Sequence, residues 1–389
     1  MKKLTLLVIP FMLLSCGKVY YHNYLRYLNK EPGPVPVIFA PNIVSVKGRF
    51  EMGLAISPDG KSIAFGTADE KNSEHNSIYI MNFSIGKWSA PDKGVIPNNV
   101  NAFFPMFGPD GNELYFAKSV DSAETDIWVA TYKNNRIKNQ HQIGAISSPS
   151  REAGHGKLKD GSIYFTSNRD INSPCCGDIY YAEIDRKRKY GVIKKVNEIN
   201  TDGDEESFCI SPKGDFIVIQ SWKKESPTKH DLYMCYRNKV GVWTIPEPLD
   251  SIINSKDIEQ RPFISADKKY LFFSRTTVLD TIDSDIYWVT TKSIFKPFLY
   301  NALPKIEVVY DKPFRVQFPD DLFKDVNDRD LLHEVTFQDG SKLSDGLNFD
   351  AKTLTLSGIW KDRTIVSLLI SATDVNKNKS TFAIPVVIK

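Results

Sequence analysis

Short apolar runs alternate with turn-forming residues along most of the chain, and one such pattern occurs five times. Each copy begins with a tight turn built from residues such as Pro, Asp and Gly, and continues at once into an apolar run. The turns lie at residues 57–60, 108–111, 158–161, 211–214 and 265–268. Pro presets φ at the first corner, Asp bonds its own backbone and Gly accepts a positive φ, so each turn predicts a β-hairpin.

Each hairpin is followed by a third apolar segment that opens with a polar residue, usually Asp, and is rich in aromatic residues. These third segments are residues 77–80, 126–129, 178–181, 231–234 and 285–288. A weaker fourth strand is marked at 86–88 and 241–243. Four strands in each repeat of about fifty residues, with no helical periodicity between them, predict the blades of an all-β propeller. We expect five blades, or six if one irregular loop contains a further blade.

These repeats resemble a known family. Pro-Asp-Gly between two strands and Asp-Ile-Tyr in the third strand are similar to the PD40 or WD40-like repeat of TolB-like propellers and of many envelope proteins of Bacteroidetes. The resemblance covers about residues 36 to 297 and implies a propeller domain over residues 35–300. It implies no single activity, because this repeat occurs in binding scaffolds, in accessory domains of peptidases and in some polysaccharide-acting enzymes.

The segment Pro36–Pro41 resembles the linker and fourth strand that precede the later hairpins. The fifth repeat has no evident fourth strand of its own after residues 293–295. We therefore expect the N-terminal segment to pair with the last blade and close the ring. A closed ring leaves no free sheet edge.

After Pro297 the pattern changes to short strands separated by turns, which predicts a small β-sandwich over residues 305–389. Residues 323–328, 347–350, 356–358 and 372–374 resemble the dystroglycan-type cadherin-like or Ig-like module. The proline usual after its Ser-Gly step is replaced here by Ile359-Trp360. Some members of that module bind Ca²⁺, and the candidate oxygen ligands are Asp325, Asn327, Asp328 and Asp374. The structural alternative is that these residues only form turns and bind no ion.

The N-terminus carries a targeting signal. Two lysines follow Met1, an apolar stretch of eleven residues runs from Leu4 to Leu14, and Ser15-Cys16-Gly17 comes next. Eleven residues cannot span a bilayer, so residues 1–15 are interpreted as a signal peptide. Its end resembles the lipobox of bacterial lipoproteins, which implies cleavage before Cys16 and acylation of Cys16. The alternative is an ordinary signal peptide with a chance cysteine.

Residues 16–34 are polar, rich in tyrosine and end in Pro and Gly, so we interpret them as a lipidated tether. No acidic run follows Cys16, which favours a location facing the periplasm, on the outer membrane rather than the inner one. The protein would then be attached to the membrane through the lipid anchor alone.

Charge and composition exclude several classes of protein. Fifty Lys and Arg residues face 47 Asp and Glu residues, so the chain is almost neutral, and a nucleic-acid partner is not expected. No His-Glu-x-x-His, Gly-x-Ser-x-Gly or paired Cys-x-x-Cys pattern occurs, so neither a zinc site nor a serine hydrolase is indicated. We expect no cofactor other than the Ca²⁺ considered above.

Acidic residues recur nine positions before the turn glycine of each repeat, or its equivalent. Four of the five repeats have a carboxylate there: Glu51, Glu152, Glu205 and Glu259, with Ala102 in the second repeat. In a ring they would converge on one mouth of the central channel, where they could bind a ligand or act as an acid and base pair. The structural alternative is that each bonds an arginine of an adjacent blade, such as Arg169 or Arg275.

His155 lies between two glycines on the innermost strand of the third repeat and could face the channel. A hydrogen-bonded structural histidine is the alternative. Adjacent Cys175 and Cys176 suggest a vicinal disulfide in an oxidising compartment. Cys209 and Cys235 are expected on strands too far apart for a bridge, and so to be buried as small apolar side chains.

Two functions remain open at this stage. The first is a membrane-anchored scaffold of the cell envelope that binds a protein or glycan without catalysis. The second is a glycosidase or lyase acting on polysaccharide at the channel mouth, with paired carboxylates as its catalytic groups. The first is favoured because no complete catalytic set accompanies the recurring glutamates. Phe103, Phe104 and Phe208 would support a sugar site if their faces were exposed.

Overall fold

The computed structural model describes residues 22–69, 72–93, 96, 101–119, 124–170, 177–222, 230–277, 280–327, 330–343, 346–364 and 367–389. Cys16, Cys175, Cys176 and Asp328 lie outside the described residues, so their predicted roles stay predictions. Within the described ranges the fold is all-β, apart from one helical turn (α1, His22–Leu25) and one short 3₁₀ helix (Thr291–Ser293).

The described strands of the repeats form antiparallel meanders in which sequence neighbours pair. The first repeat contains β2 (Phe50–Ile56), β3 (Ser62–Asp69), β4 (Asn72–Ser84) and β5 (Lys87–Trp88). The second contains β6 (Asn101–Phe107), β7 (Glu113–Ser119), β8 (Asp126–Lys133) and β9 (Arg136–Gln142). The third contains β10 (Glu152–Lys157), β11 (Ile163–Ser167), β12 (Asp178–Ile184) and β13 (Tyr190–Lys195).

The fourth repeat contains β14 (Phe208–Ile210), β15 (Phe216–Trp222), β16 (His230–Tyr236) and β17 (Glu247–Pro248). The fifth contains β18 (Ile258–Ile264), β19 (Tyr270–Thr277) and β20 (Asp280–Thr290). The expected fourth strand at 241–243 is wrong: Gly241 has φ +87°, and the strand lies a few residues later, at β17.

The predicted hairpin turns are present and use the predicted chemistry. In the first, Ser57 Oγ donates to Asp59 Oδ1 at 2.6 Å, Gly60 N donates to Ser57 O at 2.8 Å, and Gly60 has φ +74°. A side chain at that φ would be strained, which is why Gly ends the turn. Turn chemistry thus sets the register of β2 against β3.

The first strands of the described sheets contact one another in the cyclic order β2, β6, β10, β14, β18 and back to β2. Each sheet therefore stands with its first strand toward a common axis. This is the arrangement of a β-propeller.

The ring closes through the N-terminal segment, as predicted. Strand β1 (Val37–Ile38) pairs antiparallel with β20, where Val37 lies opposite Trp288. Phe39, fully buried, extends this contact by donating its backbone N–H to Ile286 O at 2.7 Å. The N-terminal segment thus takes the place of a fourth strand in the last sheet.

The predicted tether over residues 16–34 is wrong for its described part. Leu25 is only 1% exposed and belongs to the main hydrophobic core. The Tyr24 ring lies 4.7 Å from that of Phe83, and Trp88 Nε1 donates to Tyr24 O at 2.9 Å. The apolar and aromatic side chains of this segment therefore cover the first sheet instead of remaining in solvent.

The C-terminal region contains two main sheets that share one hydrophobic core. The first consists of β22 (Ile306–Val308), β25 (Leu332–Phe337), β28 (Ser367–Thr373) and β29 (Lys379–Ile388). The second consists of β23 (Pro313–Gln317), β26 (Leu347–Asp350) and β27 (Thr355–Ile359), while β21 (Phe298–Leu299) pairs with β24 (Phe323–Lys324). The sequence pattern missed β25. Its exposed Leu332 interrupts the alternation that would have marked a strand.

The two regions are in contact. The ring of Phe298 stacks on that of Tyr236 at 4.4 Å, and Asn378 Nδ2 donates to Lys292 O at 2.7 Å. Within the part of the chain that the structure describes, no helix is long and apolar enough to span a bilayer.

Candidate functional site

The four recurring glutamates are fully buried. Glu152 accepts hydrogen bonds from Ser148 Oγ at 2.6 Å, from Ser167 Oγ at 2.7 Å and from Arg169 Nη2 at 3.0 Å. Ser148 lies four residues earlier, in the loop before β10, while Ser167 ends β11. This carboxylate therefore ties a loop and two strands together.

Glu259 repeats the arrangement two sheets further along the chain. Ser255 Oγ donates to it at 2.6 Å and Arg275 Nε at 2.8 Å, and the same guanidinium donates to Ile253 O at 2.9 Å. Glu259 lies directly opposite Arg275 in the β18–β19 ladder. The structural alternative stated above was a bond to an arginine of an adjacent blade. The two arginines named there are the partners, but the adjacent blade is wrong. Arg169 bonds Glu152 within the third repeat, and Arg275 bonds Glu259 within the fifth.

Glu51 and Glu205 are also hydrogen-bonded, but their donors lie at other positions in the sequence. Arg49 Nε donates to Glu51 at 2.7 Å from two residues away. Glu205 accepts hydrogen bonds from the hydroxyl groups of Thr201 at 2.6 Å and Ser221 at 2.8 Å. Burial therefore dominates and raises the pKa of the Glu205 carboxyl to about 7.

This pKa predicts a pH dependence of stability. Between the ordinary pKa of 4.5 and about 7, the folded protein keeps a proton on Glu205 that the unfolded chain releases. The contribution of Glu205 to the free energy of unfolding should therefore decrease as the pH rises through this window, by about 3 kcal/mol. Glu205→Gln should remove that part of the pH dependence, whereas Glu198→Gln at an exposed position should not. Urea unfolding of both variants across the window measures it, and parallel curves for wild type and Glu205→Gln would contradict it.

The second sheet has a different pair at this position. Ala102 lies opposite Lys118, which is 9% exposed and lies 4.1 Å from the ring centre of Trp128. Burial lowers the pKa of Lys118. In the second sheet a cation–π contact of Lys118 thus stands where the other sheets have a buried carboxylate.

Among the described residues, the channel is narrow just beyond the recurring glutamates. Residues two positions after the recurring glutamate or its equivalent line a cavity of about 30 Å³: Gly53, Phe104, Gly154, Ser207 and Arg261. Such a volume is enough for about one water molecule. Three of these residues have positive φ, at +79° for Gly53, +52° for Phe104 and +54° for Arg261, beside shifts of strand register. These bulges turn side chains across the axis.

His155 also lines this cavity and is 3% exposed. Its Nδ1 lies 2.8 Å from Ala153 O, while its Nε2 is buried without a hydrogen-bond partner among the described residues. Burial lowers the pKa of His155 to about 4, so the imidazole is neutral near pH 7. The structure thus places His155 inside the channel, below the mouth.

A charged cluster that the sequence pattern did not single out lies at the start of the first strands. Arg151 Nη2 pairs with Glu206 Oε1 at 2.9 Å, and both side chains are about one quarter exposed, at 28% and 23%. The charge of Arg261 also acts on Glu206. We call Arg151, Glu206 and Arg261 the mouth cluster. They come from three different sheets, at three different offsets from the recurring glutamate, so no repeat pattern marks them.

Two more titratable groups border the mouth cluster. Burial and then the charge of Glu206 raise the pKa of Asp204 to about 6. Burial lowers the pKa of His230, whose Nδ1 lies 2.9 Å from Gln220 Nε2. For Glu206 burial acts in the opposite direction, but the charges of Arg261 and Arg151 prevail and lower its pKa.

The remaining predicted site residues are placed in turns or cores. Asp325 Oδ1 accepts from Asn327 N at 2.7 Å, and Asp374 accepts from Asn378 N at 2.7 Å, as turn-forming side chains do. Among the described residues, no three His, Cys, Asp or Glu side chains are grouped so that they could hold a metal ion. Cys209 and Cys235 are free and buried, as expected.

No family model and no curated protein matches the chain. Solved structures do match, among them TolB from Acinetobacter baumannii, at 16% identity and a TM-score of 0.38, over 62% of this chain and 57% of that one. A putative TolB from Agrobacterium tumefaciens matches at 15% and 0.40, over 87% and 82%. An α-L-arabinofuranosidase from Lactobacillus brevis matches at 12% and 0.45, over 64% and 92%. A likeness to both TolB proteins and an enzyme does not decide between binding and catalysis.

Proposed function

We propose that the protein is a lipoprotein of the bacterial cell envelope, anchored through Cys16, whose five-bladed propeller and Ig-like C-terminal sandwich form a non-catalytic binding scaffold. Its partner is a protein or glycan of the envelope, and the binding surface is the channel mouth. The lipobox-like sequence supports the anchor. The cyclic contacts of the first strands and the shared core of the two C-terminal sheets support the two domains.

One observation carries the proposal. The carboxylates that recur around the ring are fully buried and engaged within their own sheets, so they are not available to act on a substrate. The mouth cluster, by contrast, reaches solvent through Arg151 and Glu206, which lie one residue before β10 and two residues before β14, while Arg261 lies on β18. Charged groups fixed on a rigid scaffold favour recognition, because little side-chain freedom is lost on binding.

A second candidate is the polysaccharide-acting enzyme, and one feature favours it. The pKa of Asp204 is raised to about 6 while that of Glu206 is lowered, and environments that separate two carboxyl pKa values are typical of acid and base pairs. Against it, Phe103, Phe104 and Phe208 are only 5%, 8% and 3% exposed. Their faces are therefore not available to stack on a sugar ring.

The proposal is tested in intact cells with a photo-crosslinking residue. Placed at Asp202, an exposed position two residues before Asp204, it should give a discrete adduct that mass spectrometry assigns to a protein or glycan. Placed at Lys213, an exposed position in the hairpin turn of the same sheet, it should give none. The substitution Cys16→Ala should move the protein out of the membrane fraction, because the lipid would be its membrane attachment.

Equal labelling from Lys213 and Asp202 would contradict binding at the mouth, and unchanged membrane partitioning of Cys16→Ala would contradict the anchor. Cleavage of envelope polysaccharide by the purified protein, abolished in both Asp204→Asn and Glu206→Gln, would replace the binding function with the enzymatic one.

A further inference from the structure

Arg261 is held in place at the channel mouth by its backbone. It has φ +54°, a conformation that costs energy for a residue with a Cβ, within a register shift between Gln260 and Phe263. Its N–H donates to Ser207 Oγ at 3.1 Å and to Gln220 Oε1 at 3.2 Å. Two hydrogen bonds from the neighbouring sheet thus keep this strained residue where its side chain crosses the axis.

The neighbouring sheet on the other side leaves room for that side chain. A Cβ built on Gly53 would lie 3.0 Å from the Cβ of Arg261, so any larger residue would press on it. The guanidinium then lies 5.1 Å from the ring centre of Phe104 and 6.0 Å from that of Phe50. Residues of the first, second and fourth sheets therefore orient the Arg261 guanidinium toward the mouth.

Two nitrogens of the Arg261 guanidinium lack acceptors. Its Nε and Nη1 are buried and have no hydrogen-bond partner among the described residues. A buried donor without a partner costs about 1–3 kcal/mol, and more when it is charged. Nε and Nη1 are therefore the donors that a ligand with acceptor oxygens would engage.

The carboxylate that acts on Arg261 is shared. Glu206 is already engaged by Arg151 at 2.9 Å, so two guanidinium groups share one carboxylate. His230 is neutral near pH 7, because burial lowers its pKa, and Asp204, with a pKa of about 6, is largely ionised there and brings the cluster close to neutral. The two partnerless donors of Arg261, rather than the net charge of the cluster, therefore favour a ligand that carries acceptor oxygens.

We propose that Arg261 binds a carboxylate carried by a peptide segment of the partner, with the mouth cluster as its receptor site. A planar carboxylate matches the fork of N–H donors that a guanidinium presents. The cavity below holds only about 30 Å³, so a protruding chain end or side chain can reach Arg261 but no chain can thread the channel. The buried rings of Phe103 and Phe104 offer no open face to a sugar, which favours a peptide over an acidic glycan.

The proposal rests on the proposed binding function, and small probes test it separately. N-acetylphenylalanine presents a terminal carboxylate, N-acetylglutamic acid α-amide presents a side-chain carboxylate, and N-acetylphenylalaninamide is the neutral control. Saturation-transfer NMR and calorimetry on the mature protein should show binding of at least one carboxylate probe and none of the neutral amide. Arg261→Leu should weaken binding at least about tenfold, as loss of a charged hydrogen bond does. Arg136→Leu, at an exposed position on β9, should leave it unchanged.

Arg261→Leu should fold, since it removes unpaired buried donors, and thermal unfolding checks this. Arg261→Lys keeps the charge but loses the planar fork, so an intermediate affinity is expected, and it carries the test if the leucine variant does not fold. Equal binding of the neutral amide, or an unchanged affinity in the Arg261 variants, would overturn the proposal. So would binding of D-galacturonate alone, which would assign the site to an acidic glycan. If no probe binds while the adduct from Asp202 persists, this inference fails and the binding function stands.

Discussion

Replacing Phe39 with alanine is expected to lower the free energy of unfolding by about 3–5 kcal/mol, as for other fully buried phenylalanines. Phe39 is 0% exposed, and its ring packs edge-on against Phe272 and Trp288, each at 5.2 Å between ring centres. Its N–H bonds to Ile286, so it secures the segment that closes the ring. Chemical unfolding followed by tryptophan fluorescence measures the effect.

The matched control is Val37→Ala, two residues earlier on β1. Val37 is 42% exposed, and its replacement should change stability by less than about 0.5 kcal/mol. If Phe39→Ala were as mild as Val37→Ala, the propeller would hold together without its N-terminal segment. The closure argument would then be wrong, whatever the pairing with β20.

Replacing Glu259 with alanine is expected to lower the free energy of unfolding by about 2–4 kcal/mol, because it leaves charged and polar partners without an acceptor. Arg275, only 14% exposed in its side chain, loses its ion pair, and Ser255 loses two hydrogen bonds to the carboxylate. Glu152→Ala should act in the same way through Arg169 and Ser148. Denaturant unfolding at neutral pH decides both.

Two comparisons define the cause of that loss. Glu259→Gln keeps an acceptor oxygen but removes the charge, so its effect should be smaller than that of alanine. Glu183→Ala removes an exposed carboxylate from β12 and should change stability little. Unchanged or raised unfolding midpoints for both Glu259→Ala and Glu152→Ala would refute a structural role. They would also make the glutamate ring the leading candidate for ligand binding.

The repeats were predictable because their signals are local. A turn such as Ser57–Gly60 needs only four residues with the right φ preferences and side-chain donors, and the apolar runs on either side need only each other to form a hairpin. The closing strand could be found in the same way, as a fourth strand missing from one end of the chain and present at the other.

The tether and the glutamates show where local signals fail. Tyr24 and Leu25 look like part of a polar linker, and only the exposed apolar surface of the first sheet explains why they pack. The position of Glu152 and its arginine partner Arg169 were predictable, but the strand register around them was not. A shift of one residue in strand register sends a side chain to the other face of a sheet, and such a shift occurs directly after Glu152.

The sequence by itself determined the all-β fold, the repeating hairpins, the recurring carboxylates and the N-terminal closure, because each depends on short-range periodicity and turn chemistry. Only the tertiary structure decided which of these residues reach the channel mouth. Arg151, Glu206 and Arg261 belong to three sheets and hold unequal positions in their repeats. They meet because ring closure brings the starts of the first strands together and a register shift in β18 turns the side chain of Arg261 toward the axis.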